Sequence, residues 1–155
     1  MSISATLTKL ATLLETVNPT PEPAPVRVFA SPREAVQIAD FPCIVLGIAP
    51  GTETHAIGGF GGQFSRHDYR LHIYYFVAGK ITPLPEAHSR VLPVPQAVAD
   101  VLFANIQLGG IVDHLGDDAG LITYNVGMIA WGDGEYFGLT FTLPVTEKAG
   151  QVISA

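Results

Sequence analysis

Residues 69 to 77 read Tyr-Arg-Leu-His-Ile-Tyr-Tyr-Phe-Val, an alternation that no helix can segregate onto one face. Tyr69, Leu71, Ile73, Tyr75 and Val77 fall on one side of a strand, and Arg70, His72, Tyr74 and Phe76 on the other. The run predicts a long strand with one core face and one half-polar face. The last third repeats the pattern. Ile122, Tyr124, Val126 and Met128 alternate with Thr123, Asn125 and Gly127, and Phe137, Leu139, Phe141, Leu143 and Val145 alternate with Gly138, Thr140 and Thr142. Gly132-Asp133-Gly134 between them has the chemistry of a hairpin turn. Long strands joined by hairpins commit the chain to a mostly antiparallel sheet.

Helical patterns are fewer. Leu7, Leu10, Leu14 and Val17 recur at spacings of three and four, with Ser2 and Ser4 as candidate N-caps and Asn18-Pro19 as the stop. Residues 18–25 form a Pro-rich link that reads as an extended spacer, either a plain surface loop or a docking strap. Val26 to Phe29 suits a short strand. Ser31-Pro32-Arg33-Glu34 carries helix-start chemistry for a short helix to about Ile38, and Cys43 to Ile48 predicts a buried strand. Residues 51–64 read as a Gly-rich loop, residues 81–94 as a Pro-broken connection, and Pro95 as the start of a helix to about Leu108. That helix would bury Val98, Val101, Leu102 and Ile106 and stop at Gly109-Gly110. Residues 147–155 read as a fraying tail. The sum is an α+β fold: a mostly antiparallel sheet or sandwich with two main helices packed on one side.

Composition narrows the function. The 155 residues suit one domain over 1–155, long enough to bury roughly 70% of the unfolded surface without a staple. Charged residues make up 14% of the chain, against about 25% in ordinary globular domains. With a mean hydropathy of +0.33, so apolar a chain is expected to hide surface in an oligomer. A net charge of −6 with no basic run argues against direct nucleic-acid recognition. One cysteine excludes a disulfide framework and a cysteine-based zinc site. No apolar run approaches the ~18 residues of a membrane helix. The N-terminus lacks the build of a secretory signal, so folding in a cytoplasm is expected.

No catalytic constellation assembles. His67 and His72 stand an odd number of residues apart and so face opposite ways on a strand; His55, His88 and His114 fall in expected loops or at element ends. Ser65, His67 and Asp68 are near in sequence but lack a nucleophile elbow. Cys43 reads as a buried small hydrophobe, and Asp117-Asp118 lacks the further oxygen ligands of a calcium loop. Gly58, Gly59, Phe60, Gly61 and Gly62 lack the Lys-Ser/Thr of a phosphate-binding loop. They read instead as an ordinary loop or as a mobile segment with one aromatic anchor for a partner. No catalytic, cofactor or metal residues are expected, and the chain is expected not to be an enzyme.

Two stretches carry a resemblance. Leu108-Gly109-Gly110-Ile111-Val112-Asp113 follows a helix and precedes two long strands, and the closing hairpin reads Glu135-Tyr136-Phe137-Gly138-Leu139-Thr140-Phe141-Thr142-Leu143-Pro144-Val145. Residues 101–146 thereby resemble the tail terminator (tail completion) proteins of long-tailed bacteriophages, and the order of elements is compatible over most of the chain. Residues 51–64 and the five histidines have no counterpart in that pattern.

The resemblance implies a structural virion protein without cofactor or catalysis. It implies a ring of like subunits, usually a hexamer, on the last ring of the tail tube. There it ends tube polymerisation and offers the head-completion (neck) proteins a docking face, with Gly58–Gly62 as a candidate partner or lumen loop. The expected partners are a second copy of the chain, the tube protein, neck proteins and DNA passing without sequence-specific contact; no membrane is involved. The expected location is the tail and neck of the virion, reached through the host cytoplasm. Low charge suits a subunit with two buried side faces, and a net negative charge suits a lumen that DNA must slide through. Two other readings stay open: another neck adaptor, stopper or tube subunit, and a small-molecule-binding α+β domain using Tyr69, Arg70, His72 and Tyr75.

Overall fold

The computed structural model describes residues 3–20, 22–23, 25–30, 42–48, 54–57, 64–79, 82–110, 112, 114–116, 122–131 and 134–151. The Gly58–Gly62 loop and the short helix expected after Ser31 lie outside them.

Helix α1 (Ile3–Leu14) forms where the leucine spacing predicts it, and Leu10, Leu14 and Val17 are buried. Ser4 lies inside the helix, two residues past its N-cap position. Strand β1 (Arg27–Phe29) pairs in parallel with β2 (Cys43–Ile48), the one parallel pairing among the described strands. Strand β4 (Phe64–Gly79) contains the alternating run and extends it at both ends. Its Leu71–Phe76 segment pairs antiparallel with β2, while Ser65–Asp68 on the same edge pairs with β3 (Thr54–Ile57).

The expected loop over 51–64 is therefore corrected: residues 54–57 are a strand. Four residues are too few to show a period, and they pair because β4 runs past the end of β2 and leaves an open edge there.

Helix α2 (Leu84–Val91) corrects the Pro-broken connection. Pro83 stands at its N-cap and Pro85 within its first turn, where a missing N–H removes no helical hydrogen bond. Only Leu92 and Pro93 separate it from α3 (Val94–Phe103), so the two form one bent helical arm beside α1. Helix α3 ends five residues before the expected stop at Leu108. The chain then tightens through Leu108–Gly110, where all three residues have positive φ. Leu108 accepts a left-handed backbone (φ 47°) and buries its side chain completely. Gly109 (φ 69°) and Gly110 (φ 94°) carry the reversal that side chains would oppose.

Strand β5 (His114–Leu115) and strand β6 (Thr123–Trp131) both pair with one edge of β7 (Gly134–Gln151), whose other edge pairs with β4. The β6–β7 ladder closes at Trp131 opposite Gly134, which fits the expected hairpin. The fraying tail is corrected as far as Gln151. Glu147, Lys148 and Gln151 pair with His67, Arg66 and Phe64, because the long β4 supplies partners for them. The described strands form one seven-stranded sheet, antiparallel except at β1, in which β4 and β7 are central.

The helices cover one face. Leu10 and Leu14 of α1, Ala87 and Val91 of α2, and Val98 and Leu102 of α3 pack on Ile44, Leu46, Leu71, Ile73, Leu139, Phe141 and Leu143. The Tyr69 hydroxyl donates to Thr6 Oγ1 at 3.0 Å and ties α1 to β4 inside this layer. The fold is α+β, with its helical elements on one side of the sheet, as the periodicities predict.

Candidate functional site

Two surfaces stand out: the aromatic face opposite the helices, and the outer strand β6. On the first, Cys43, Val45 and Phe76 are buried beneath Phe29, Tyr74, Ile129, Trp131 and Tyr136. Phe76 pairs across β4–β7 with Gly138, which pairs across β7–β6 with Gly127. That row has no side chains past β4, so the rings close over it. The Trp131 ring lies 4.9 Å from Tyr74 and 5.8 Å from Phe76, and Tyr136 packs edge-on to Phe76 at 5.7 Å. Cys43 is fully buried there, the small hydrophobe its apolar run predicts. The face expected to be half-polar is thus a second, smaller core.

His72 sits at the margin of this cluster, with Nδ1 2.8 Å from the Tyr74 hydroxyl. Burial lowers the pKa of the imidazole from its ordinary 6.5 and raises that of the phenol. The neutral imidazole and the Tyr74 hydroxyl share this hydrogen bond. On acidification the unfolded chain takes up the His72 proton first, so this contribution to stability is complete above pH 6.5 and falls as pH drops below it. Thermal melts between pH 8 and pH 5 should show the wild type losing more stability on acidification than His72→Gln. Parallel losses would exclude the burial of a neutral His72 as the cause.

The remaining sequence candidates do not converge. Tyr69 and Tyr75 lie in the helix-side core while Arg70 is exposed and His72 lies on the other face, so these four cannot line one pocket. Between His67 and His72 the β4–β7 register runs without a shift, which keeps the two positions on opposite faces. His55, His67 and Glu147 occupy one row of the ladder across β3, β4 and β7, a juxtaposition that sequence separation hides. Among the described residues no three metal-ligating side chains are gathered, and no helix is long and apolar enough to cross a membrane.

Strand β6 is the surface that sequence reading missed. Tyr124, Val126 and Met128 pair with Phe141, Leu139 and Phe137, three buried residues of the helix-side core. Directly paired residues share a face, so the core's apolar face continues sideways onto β6. No helix among the described residues reaches it: Tyr124 is 49% exposed, Val126 43% and Met128 49%. Tyr124 leans back on Phe141, ring to ring at 5.8 Å. Among the described strands β6 pairs with β7 alone, so its outer edge is open. Open edges of monomers are usually blunted by lysine, proline or a bulge. The nine residues Thr123–Trp131 contain no charge and no proline, and their ladder with β7 runs without a register shift. The period-2 pattern here predicts a strand and does not say what covers its apolar side. The absence of charge on both of its faces was the available signal.

The chain is an α+β protein whose sheet carries an uncovered apolar flank. In sequence it matches no protein-family model and no curated protein.

Proposed function

We propose that this chain is a ring-forming structural protein of a long-tailed bacteriophage virion, seated at the head-proximal end of the tail. There it ends tail-tube polymerisation and joins the tail to the neck. The observation that carries the ring is β6, an uncharged open strand whose Tyr124, Val126 and Met128 extend the core face beyond its helical cover. A surface of this kind is stable in water once a second copy covers it. A chain with only 14% charged residues suits a subunit that hides both flanks. The placement in a phage tail rests on the resemblance of residues 101–146 to tail terminators. The second of its two stretches lies in strand β7, which pairs with β4 on one edge and with β6 on the other.

Light scattering after size exclusion, with negative-stain images of the same peak, tests this reading. Closed rings with the mass of six chains are expected, capping purified tail tubes at one end. Open filaments would identify a tube subunit instead. A monomer that purified tubes fail to recruit would overturn the proposal.

A further inference from the structure

In a closed ring each copy meets its neighbours through two different flanks, so β6 of one copy is covered by another part of the same chain in the next. The ladders point to that part. One row of the sheet passes through Val28, Ile44, Tyr75, Leu139 and Val126, from β1 at one edge of the described sheet to β6 at the other. Both ends of the row are valines on the helix side. Val28 packs half-buried against the helix-side core, and Val126 is the middle of the exposed stripe.

The residues beside these two valines also match. Val26 continues the β1 ladder through its N–H, which donates to the Pro42 carbonyl at 2.7 Å, and its side chain is 57% exposed. Ala30, just past β1, packs partly buried on the same core. Val26, Val28 and Ala30 therefore line one apolar margin, as Met128, Val126 and Tyr124 line the other. The rows also fit on the opposite face. The row that begins at Arg27 passes through Cys43, Phe76 and Gly138 and ends at Gly127. A side chain at Gly127 would meet nothing within 4 Å, so an arginine standing beside it has room.

Strand direction is compatible too. Strand β1 is parallel to β2, and each later step, from β2 to β4, β7 and β6, is antiparallel, so β1 and β6 run in opposite senses. Rotation about a ring axis keeps the helix face of every copy on the same side of the ring. A β6 edge that meets the next copy's β1 edge therefore meets it antiparallel, with the two apolar margins on one side. Helix α1 lies against β1 and β2, and α2 against β4 and β7. The join thus seats the bare face of β6 between α2 of its own copy and α1 of the next, which supplies the helical cover it lacks.

We propose that β6 of one copy lies antiparallel along β1 of the next, continuing the rows of the sheet so that Val126 stands beside Val28. Met128 then meets Val26, and the large Tyr124 meets the small Ala30. A shift of one residue would turn the stripe away from this margin. The proposal rests on the ring reading above and names the contact within it.

The test is disulfide cross-linking of the full chain, as rings in solution or recruited to tail tubes. Directly opposed residues of antiparallel strands have Cα atoms about 4.5–5.5 Å apart, within the span of a disulfide. The double variant Val28→Cys/Val126→Cys is expected to give, on oxidation, a ladder of two to six linked chains on a denaturing gel. Each single variant should stay at the mass of one chain, the native Cys43 being buried. A mixture of the two single variants should give linked pairs and nothing longer, because each contact then joins one chain of each kind. Rings that form without cross-linking of the double variant would overturn the proposal and leave the ring reading standing. Linked pairs from Val126→Cys alone would place β6 against β6 and overturn it as well. A wild-type chain that forms no ring, with or without tubes, would remove the ring reading and this contact with it.

Discussion

Gly138→Ala is expected to lower the thermal midpoint by roughly 6 to 12 °C, the shift that about 3 kcal/mol produces in a domain of this size. Gly138 is where β7 passes β4 opposite Phe76, beside the register shift between Phe76 and Ala78. A methyl group there would overlap the Tyr75 carbonyl oxygen and stand 3.0 Å from Phe76 Cα. Both obstacles are backbone, so neither can rotate away. Relief requires the central strand pair to separate, which breaks ladder hydrogen bonds and opens the cover of Phe76 and Trp131 at once. Thr123→Ala, at an exposed position of β6, should change the midpoint little. Equal melting of Gly138→Ala and wild type would show that β4 and β7 do not lie this close.

Val126→Asp is expected to abolish ring formation while leaving the fold intact. Val126 is the middle of the exposed stripe, and 43% of its surface already meets water, so a carboxylate there is solvated in the free subunit. Buried against a second copy, the same carboxylate loses its water, and its own side of the contact, Thr123–Trp131, offers no cation to pair with it. A central interface position of this kind costs on the order of 2 kcal/mol or more at each contact, and a closed ring repeats the contact at every subunit. Light scattering should move from the mass of six chains to that of one, with circular dichroism and the melting midpoint nearly unchanged. A ring that survives Val126→Asp would place the subunit contact elsewhere, and Leu84, Leu92 and Phe103 on the helical arm are the next exposed apolar group.

Which residues of β4 share a face was legible one by one, because an alternation nine residues long admits one reading, whereas the burial of the face read as half-polar was not. Helix α1 was legible for the matching reason at the helical period. The prolines misled in one place. Four of them between residues 83 and 95 look like interruptions, yet each pair opens a helix, at Leu84 and at Val94. Whether a proline starts or breaks a helix depends on the residues that follow and on the wall they meet. Strand β3 and the last residues of β7 were missed because their pairing partners lie on β4, reached only through the fold. The candidate surface was half legible. The alternation of Tyr124, Val126 and Met128 marks an apolar face, and nothing in its period says whether that face is covered.

Local chemistry, then, determined the long strands, helix α1 and which side of each is apolar, because those depend on spacing along the chain. The tertiary structure alone decided what covers each apolar side. The helices span β2, β4 and β7 and stop short of β6, so Leu139 is fully buried while its ladder partner Val126 meets solvent. The same distinction holds at Tyr75: the sequence places the ring in the core, and only the tertiary packing leaves its hydroxyl buried without a hydrogen-bond partner among the described residues. Burial is a property of reach between elements distant in sequence, and the period of a pattern does not encode reach.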